Sequence, residues 1–129
     1  MKSILIKLIL ITSIYSLSGS AIGDEWLRTR MFFGLSVPDG GGVSLQQWEK
    51  FRDEVIAPAF KDGFNVVDSI GFWQGGTERS KILTVFYSAK DTQLFQMRLK
   101  EIAQTYTKTF KQDSVLMVTA PVDVEFITQ

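Results

Sequence analysis

The sequence predicts an α+β fold of the ferredoxin-like type: a four-stranded antiparallel sheet with two helices on one face, in the order β-α-β-β-α-β. Four segments rich in β-branched and aromatic residues have strand character, and two intervening stretches repeat apolar residues at helical spacing. The 129 residues suffice for one domain, and an apolar content of 45% is typical of a packed core. In this fold the first and third strands lie at the centre of the sheet.

The first predicted strand precedes Pro38, which lacks a backbone donor and ends the pairing. Its residues alternate between two sides, as expected for a strand that separates a core from a second surface. One side carries Thr29, Met31, Phe33, Leu35 and Val37, and the other carries Arg28, Arg30, Phe32, Gly34 and Ser36.

The other three strands follow from apolar runs bounded by turn residues. Phe64–Trp73 is the second strand, in which Gly71 indicates a bulge, and Gln74–Ser80 is predicted to be a loop. Lys81–Tyr87 is the third strand and forms an antiparallel hairpin with the second. Ser114–Ala120 is the fourth strand.

The two helices each combine a cap with an apolar stripe. Ser44 begins the first, since its spacing to Gln47 is that of a capping box, and the helix is expected to stop just before Pro58. Asp91 or Thr92 caps the second. Its stripe steps by three or four residues and consists of Phe95, Leu99, Ile102, Tyr106 and Phe110.

Residues 1–23 have the pattern of a secretory signal peptide: a positively charged start, an apolar middle and small residues at the end. Cleavage is expected after Ala21 or Gly23, leaving residues 24–129 as a single domain. The alternative is an uncleaved anchor, but the apolar run is shorter than the ~20 residues that a spanning helix needs. We therefore expect an exported protein, periplasmic or secreted, with no membrane anchor after cleavage.

Composition excludes several kinds of chemistry. The chain has no histidine and no cysteine, so a His base, a thiolate nucleophile, a disulfide and a His or Cys metal site are all excluded. We expect no metal, no cofactor and no catalytic residues. Without Lys2 and Lys7 of the signal, 12 basic groups face 14 acidic ones. There is no basic stripe, which argues against a nucleic-acid partner.

Motifs from Arg28 to Phe126 follow a distinctive order: a strand, a Pro-Asp-Gly turn, a Trp-containing helix, a Trp-ending strand and a Glu-Arg-Ser-Lys strand start. Their main residues are Pro38-Asp-Gly40, Trp48, Pro58, Asp62-Gly63, Trp73 and Glu78-Arg-Ser-Lys81. Together they resemble the bacterial family of domains of unknown function DUF3574. The resemblance implies an exported small domain, often a lipoprotein in the family, although this chain lacks the required cysteine.

Five polar residues are candidate ligand-binding residues: three lie on the first predicted strand, and two form the adjacent pair Glu78 and Arg79. If Arg30 and Arg79 lie near each other, their guanidinium groups can hold a small anionic ligand through bidentate contacts. The alternative is that the arginines form ordinary ion pairs with Glu78, Asp68 or Glu25. The five candidates are Arg28, Arg30, Ser36, Glu78 and Arg79.

Trp73 is the sixth candidate, because it precedes the Gly-rich segment Gln74–Ser80. An aromatic ring beside such a segment can form a ligand platform. The alternative is a hairpin loop with Trp73 partly buried against the helix layer. No phosphate-binding glycine pattern is present.

Taken together, these observations favour a non-catalytic binding or interaction module of the cell envelope, whose partner is an unknown envelope protein or a small anionic ligand. Its helix-free sheet face carries apolar residues, so a homodimer through that face is one hypothesis. A first alternative is a small cofactor-independent enzyme or ligand binder with a pocket between sheet and helices. There, Arg30 would orient an anionic group and Ser36 or Tyr87 would polarise it. A second alternative is an inhibitor or accessory subunit of another periplasmic protein.

Overall fold

The computed structural model describes residues 24–37 and 40–129. The predicted signal peptide, residues 1–23, and the first two residues of the Pro38-Asp-Gly turn lie outside the described residues. No helix within the described ranges has the length and apolar character to cross a bilayer.

The chain forms one antiparallel sheet with the strand order β2-β3-β1-β4, together with two principal helices. This confirms the ferredoxin-like prediction, with the first and third strands at the centre. The elements are β1 (Trp26–Gly34), α1 (Leu45–Phe51), β2 (Asn65–Trp73), β3 (Gly76–Ser88), α2 (Thr92–Phe110) and β4 (Leu116–Val122).

The first helix is capped as predicted but is less regular than expected. The Ser44 side chain accepts from the backbone N–H of Gln47, and the Gln47 side chain accepts from that of Ser44. After Phe51 the helix widens into a π-helical segment, Arg52–Ile56, and a short 3-10 turn, Ala57–Ala59, closes it. Pro58 is accommodated at the start of that turn, where a missing N–H costs little.

The prediction that Gln74–Ser80 forms a loop is wrong. Only Gln74 and Gly75 form the turn, both with positive φ (47° and 77°), and β3 already begins at Gly76. A two-residue turn with two positive φ angles matches the right-handed twist of a hairpin. It pairs Trp73 with Gly76 and Gly71 with Glu78 in continuous register, so Gly71 is not a bulge.

Both helices pack on one face of the sheet, and aromatic rings fill the space between them. Phe33 of β1 lies 5.4 Å from Trp48 of α1 and 4.8 Å from Tyr106 of α2, measured between ring centroids. The Tyr87 ring stacks on Phe95 at 4.6 Å. Because alternate residues of a strand point to opposite faces, the next residues along β1 and β3 lie on a face that no helix covers.

Candidate functional site

The helix-free side of the sheet, here called the open face, carries the even-numbered residues of β1, β3 and β4 and the odd-numbered residues of β2. Register places four apolar residues side by side across its middle, one from each strand. This apolar row consists of Val67, Ile82, Phe32 and Leu116. Val67 and Leu116, at the two ends of the row, are 55% and 60% exposed.

A groove of about 650 Å³ lies between the apolar row and the end of the sheet where the β2–β3 turn is located. Volumes of this size suit a small organic molecule. No lysine or arginine is among the described residues that line it. The lining side chains with chemistry to offer are Phe32, Ser36, Trp73, Glu78, Gln112 and Asp113.

Two glycines form the floor of the groove on either side of Glu78. Gly71 is its direct cross-strand partner, and Gly34 is its diagonal neighbour on β1. A side chain at position 34 would collide with Oε1 of Glu78, so the carboxylate occupies the space that this side chain would fill. The glycine at position 34 thus allows Glu78 to lie flat across the sheet.

The backbone under this carboxylate is held from the helix side. The buried Tyr106 hydroxyl of α2 donates to the carbonyl oxygen of Gly34 at 2.6 Å. Burial is the main cause of the raised pKa of Tyr106, and the nearby negative charge of Glu78 raises this pKa further. This tyrosine is therefore a neutral donor at physiological pH rather than a base. Gln112 Nε2 donates to the carbonyl oxygen of Ser36 at 2.5 Å and links the loop after α2 to the groove.

The groove is acidic and aromatic. The only ionisable side chains in its lining, among the described residues, are Glu78 and Asp113. Glu78 has no ion pair with any described residue, and neither has Asp113. The Trp73 ring, 75% exposed, stands at the groove's outer edge. Such a site offers negative charge and an aromatic surface to whatever enters it.

Three of the six predicted ligand-binding residues, Ser36, Trp73 and Glu78, meet in this groove. The alternative interpretation of Trp73, burial against the helix layer, is wrong, because the ring lies on the open face. Whether any of the three binds a ligand stays a prediction.

The predicted arginines do not form one cluster. Arg28 and Arg30 lie on the open face, but Arg30 pairs with Thr84, which is six residues from Glu78 along β3. At about 3.3 Å per residue this is a separation of about 20 Å. Arg79 pairs with Ile70 and lies on the opposite face. The condition for a shared anionic site, that Arg30 and Arg79 lie near each other, is not met. Residues 76–80 were predicted to be a loop, but they form a strand, and its alternation assigns Arg79 to the other face.

The expected surface ion pairs also differ. Asp68 pairs with Lys81, its direct cross-strand neighbour, and this contact lowers the pKa of Asp68. No ion pair among the described residues involves Arg28, Arg30 or Arg79. Sequence reasoning missed Gly34, Gly71 and Gln112, whose roles depend on register and on the loop that follows α2.

The centre of the space between sheet and helices, where a pocket was the alternative expectation, is occupied by the core, and cavities lined by Phe95 of α2 lie at its edge. Its most deeply buried members come from both layers. They include Met31, Phe33, Leu83, Trp48, Ile56, Leu99 and Tyr106. The groove lies instead on the other side of the sheet.

Comparison with protein families matches residues 28–126 to the family described as "Protein of unknown function (DUF3574)". Comparison with curated proteins finds no match. Among solved structures, a phage SAM lyase in its apo state is similar, with 18% identity and a TM-score of 0.54. The alignment covers 83% of this chain and 96% of the lyase chain.

A phage SAM lyase in complex with S-methyl-5′-thioadenosine is also similar, with 18% identity and a TM-score of 0.48 over 82% of this chain and 95% of that one. At these identities the likeness concerns the fold alone.

Proposed function

The chain belongs to DUF3574, a family of unknown function, and we propose that it binds a small organic cation bearing a flat ring in the groove beside Glu78. The observation that carries this proposal is the Glu78 carboxylate, which lies across Gly34 in an acidic groove without a basic partner among the described residues.

Charge supports a cation over an anion. A partly buried carboxylate is more stable when an opposite charge lies close to it, and the attraction strengthens as water is excluded. Glu78 is partly buried, and Asp113 adds a second negative charge to the same lining. An anionic ligand would meet both carboxylates. The small anionic ligand expected from the arginines is therefore less favoured in this groove.

The aromatic side chains support a ring-bearing ligand. Trp73 and Phe32 border the groove on two sides, and the exposed Trp73 ring is free to stack on a flat group. Tryptophan is also the best cation–π partner among the side chains. A ligand with a ring and a positive centre uses both properties of the lining.

The fold neighbour adds a chemical example. A SAM lyase acts on S-adenosylmethionine, a sulfonium cation joined to adenine, and one such phage enzyme shares this fold. The proposal covers the class, sulfonium or quaternary ammonium compounds with a flat ring. If the chain is exported, as residues 1–23 suggest, its ligand is one found in the cell envelope or outside the cell.

The proposal is for binding, with a carboxylate as the main polar group. The pKa of Tyr106 is raised, so its hydroxyl is unsuited to general-base work, and the groove offers no other described titratable group than Glu78 and Asp113. A non-catalytic role is part of the proposal. Action in the cell envelope remains part of the proposal.

Isothermal titration calorimetry with two matched ligands tests it. S-adenosylmethionine and S-adenosylhomocysteine share the adenosine and the amino acid, but only the first has the sulfonium charge. We expect the charged ligand to bind about tenfold tighter or more. A sulfonium donates no hydrogen bond, but a positive charge about 4 Å from a partly exposed carboxylate gains about 1–4 kcal/mol from Coulomb attraction. Glu78→Gln should remove most of the preference, with Asp113 retaining a minor part, whereas Glu54→Gln, an exposed site on the helix layer, should leave it unchanged. Equal affinity for both ligands, or a preference undiminished in Glu78→Gln, would refute the proposal.

A further inference from the structure

The charges on the open face are arranged so that its two ends complement each other when a second copy, rotated by 180°, faces it. Its apolar row lies between two ends of opposite sign. Arg28 and Arg30 lie at one end, and Glu78 and Asp113 lie at the other. Arg30 and Glu78 are separated by about 20 Å along the strands, too far to pair within one chain.

The apolar part between these ends is a continuous patch. Ile82 and Phe32 are half-buried in the middle of the row, and Val118 extends the patch next to Leu116 on β4. Four-stranded sheets with one uncovered apolar face commonly bury it against another layer, because contiguous exposed apolar surface is unfavourable in water.

From this arrangement we infer that the open face packs on the open face of a second copy of this chain, about a two-fold axis that lies between the sheets and runs perpendicular to the strands. Such an axis reverses the strand direction while each strand stays opposite its own copy. The apolar row then meets itself at the centre, as an isologous interface requires. The arginine end of each copy meets the acidic end of the other.

The charge pattern selects this axis over its obvious alternative. A two-fold axis parallel to the strands would keep the strand direction, so the arginine end of one copy would face the arginine end of the other, and the acidic ends would likewise face each other. Like charges opposed across a face-to-face contact are destabilising. The perpendicular axis instead brings Arg30 of one copy above the β1 position beside Glu78 of the other. Packed sheets lie about 10 Å apart, within reach of an arginine side chain.

This interface has a consequence for the groove that rests on the proposed function. A cationic ligand and Arg30 of the second copy compete for one carboxylate, that of Glu78. By reciprocity, a ligand that favours the free carboxylate weakens the dimer, and dimer formation weakens ligand binding by the same factor. The oligomeric state would then report ligand occupancy.

Sedimentation equilibrium on ligand-free protein tests the interface independently of the ligand. The wild type should form a dimer. Arg30→Glu and Glu78→Arg should each weaken it at least tenfold, and the double variant should recover most of the loss, because the charge pair is restored in the opposite sense. Arg79→Glu, one residue away on the opposite face, is the matched control and should dimerise as the wild type does. Circular dichroism confirms that each variant is folded.

Three results would overturn the inference: a wild-type monomer at all concentrations, a closed ring of more than two copies, or a double variant no better than the single ones. None of these bears on the preference for S-adenosylmethionine over its neutral analogue, which is measured on its own. The failure of one proposal is therefore distinguishable from the failure of the other.

Discussion

The two faces of the sheet use adjacent residues of β1 for different purposes. On the helix side, Phe33 is fully buried and its ring contacts rings from both helices. On the open face, Phe32 is half-buried and borders the groove. The two side chains are chemically identical, so the comparison isolates what a covering layer contributes: the helix side buries its ring in the core, whereas the open face leaves its ring accessible to a ligand or a second chain.

The polar side chains of the two faces also differ, in whether they have partners within the chain. Thr29, fully buried on the helix side, shares hydrogen bonds with the hydroxyls of Tyr87 at 2.7 Å and Thr119 at 2.8 Å. Gln96 completes the network by donating to both of these partners. Glu78 on the open face has no ion pair among the described residues. A polar group whose hydrogen-bond partners belong to the same chain stabilises the fold. A charged group without such a partner is available to a ligand or to another chain.

The largest expected effect comes from truncating the two phenylalanines separately. Phe33→Ala should lower the free energy of unfolding by about 3–5 kcal/mol, because it removes a buried ring and leaves a cavity among Trp48, Phe51 and Tyr106. Phe32→Ala should cost about 1 kcal/mol or less. Urea unfolding at low protein concentration, where a dimer contributes least, measures both. Equal losses would contradict the division between the two faces.

Tyr106→Phe should have an intermediate effect, about 1–2 kcal/mol, because the Gly34 carbonyl oxygen loses its donor while the ring and its packing remain. The pH dependence gives a second readout. The raised pKa of Tyr106 means that the folded state keeps this proton after an unfolded tyrosine, with a pKa of about 10, begins to lose it. Stability is thus fully retained below pH 10 and falls as the pH rises above it.

The alkaline loss should be smaller in Tyr106→Phe, when unfolding free energies are measured in the wild type and the variant from pH 8 to pH 11. All other residues are the same in the two proteins, so the difference between their slopes reports the Tyr106 hydroxyl alone. An identical alkaline slope in the two proteins would show that the hydroxyl of Tyr106 ionises as readily in the folded state as in the unfolded chain.

The fold was predictable because its signals are local. Alternation in β1, the capping box at Ser44 and the stripe of α2 each lie within a few turns of chain, and their order restricts the topology. The start of β3 was not predictable in this way. Residues 76–80 are polar and hence typical of a loop, and they form a strand only because the Gln74–Gly75 turn brings them into register with β2.

The candidate site depended on that register, so it was predictable only in part. Ser36, Trp73 and Glu78 were identified from residue type, but their meeting point depends on which residues of β1 and β3 are opposite each other. The error over Arg79 has the same origin, since strand alternation assigns it to the other face once β3 begins at Gly76. The diagonal between Gly34 and Glu78 crosses two strands and has no signature along the chain.

Gly34→Ala is the change with the smallest expected effect on stability and a decisive effect on the open face. The new Cβ would collide with Oε1 of Glu78, the far end of a flexible side chain, which can rotate away while the backbone remains in place. We therefore expect unfolding free energy within about 0.5 kcal/mol of the wild type. The preference for S-adenosylmethionine over S-adenosylhomocysteine should nonetheless weaken severalfold, because the carboxylate leaves the groove floor. Unaltered selectivity in a folded variant would mean that the position of Glu78 over the glycine is unimportant, and that the open face recognises its ligand by other groups.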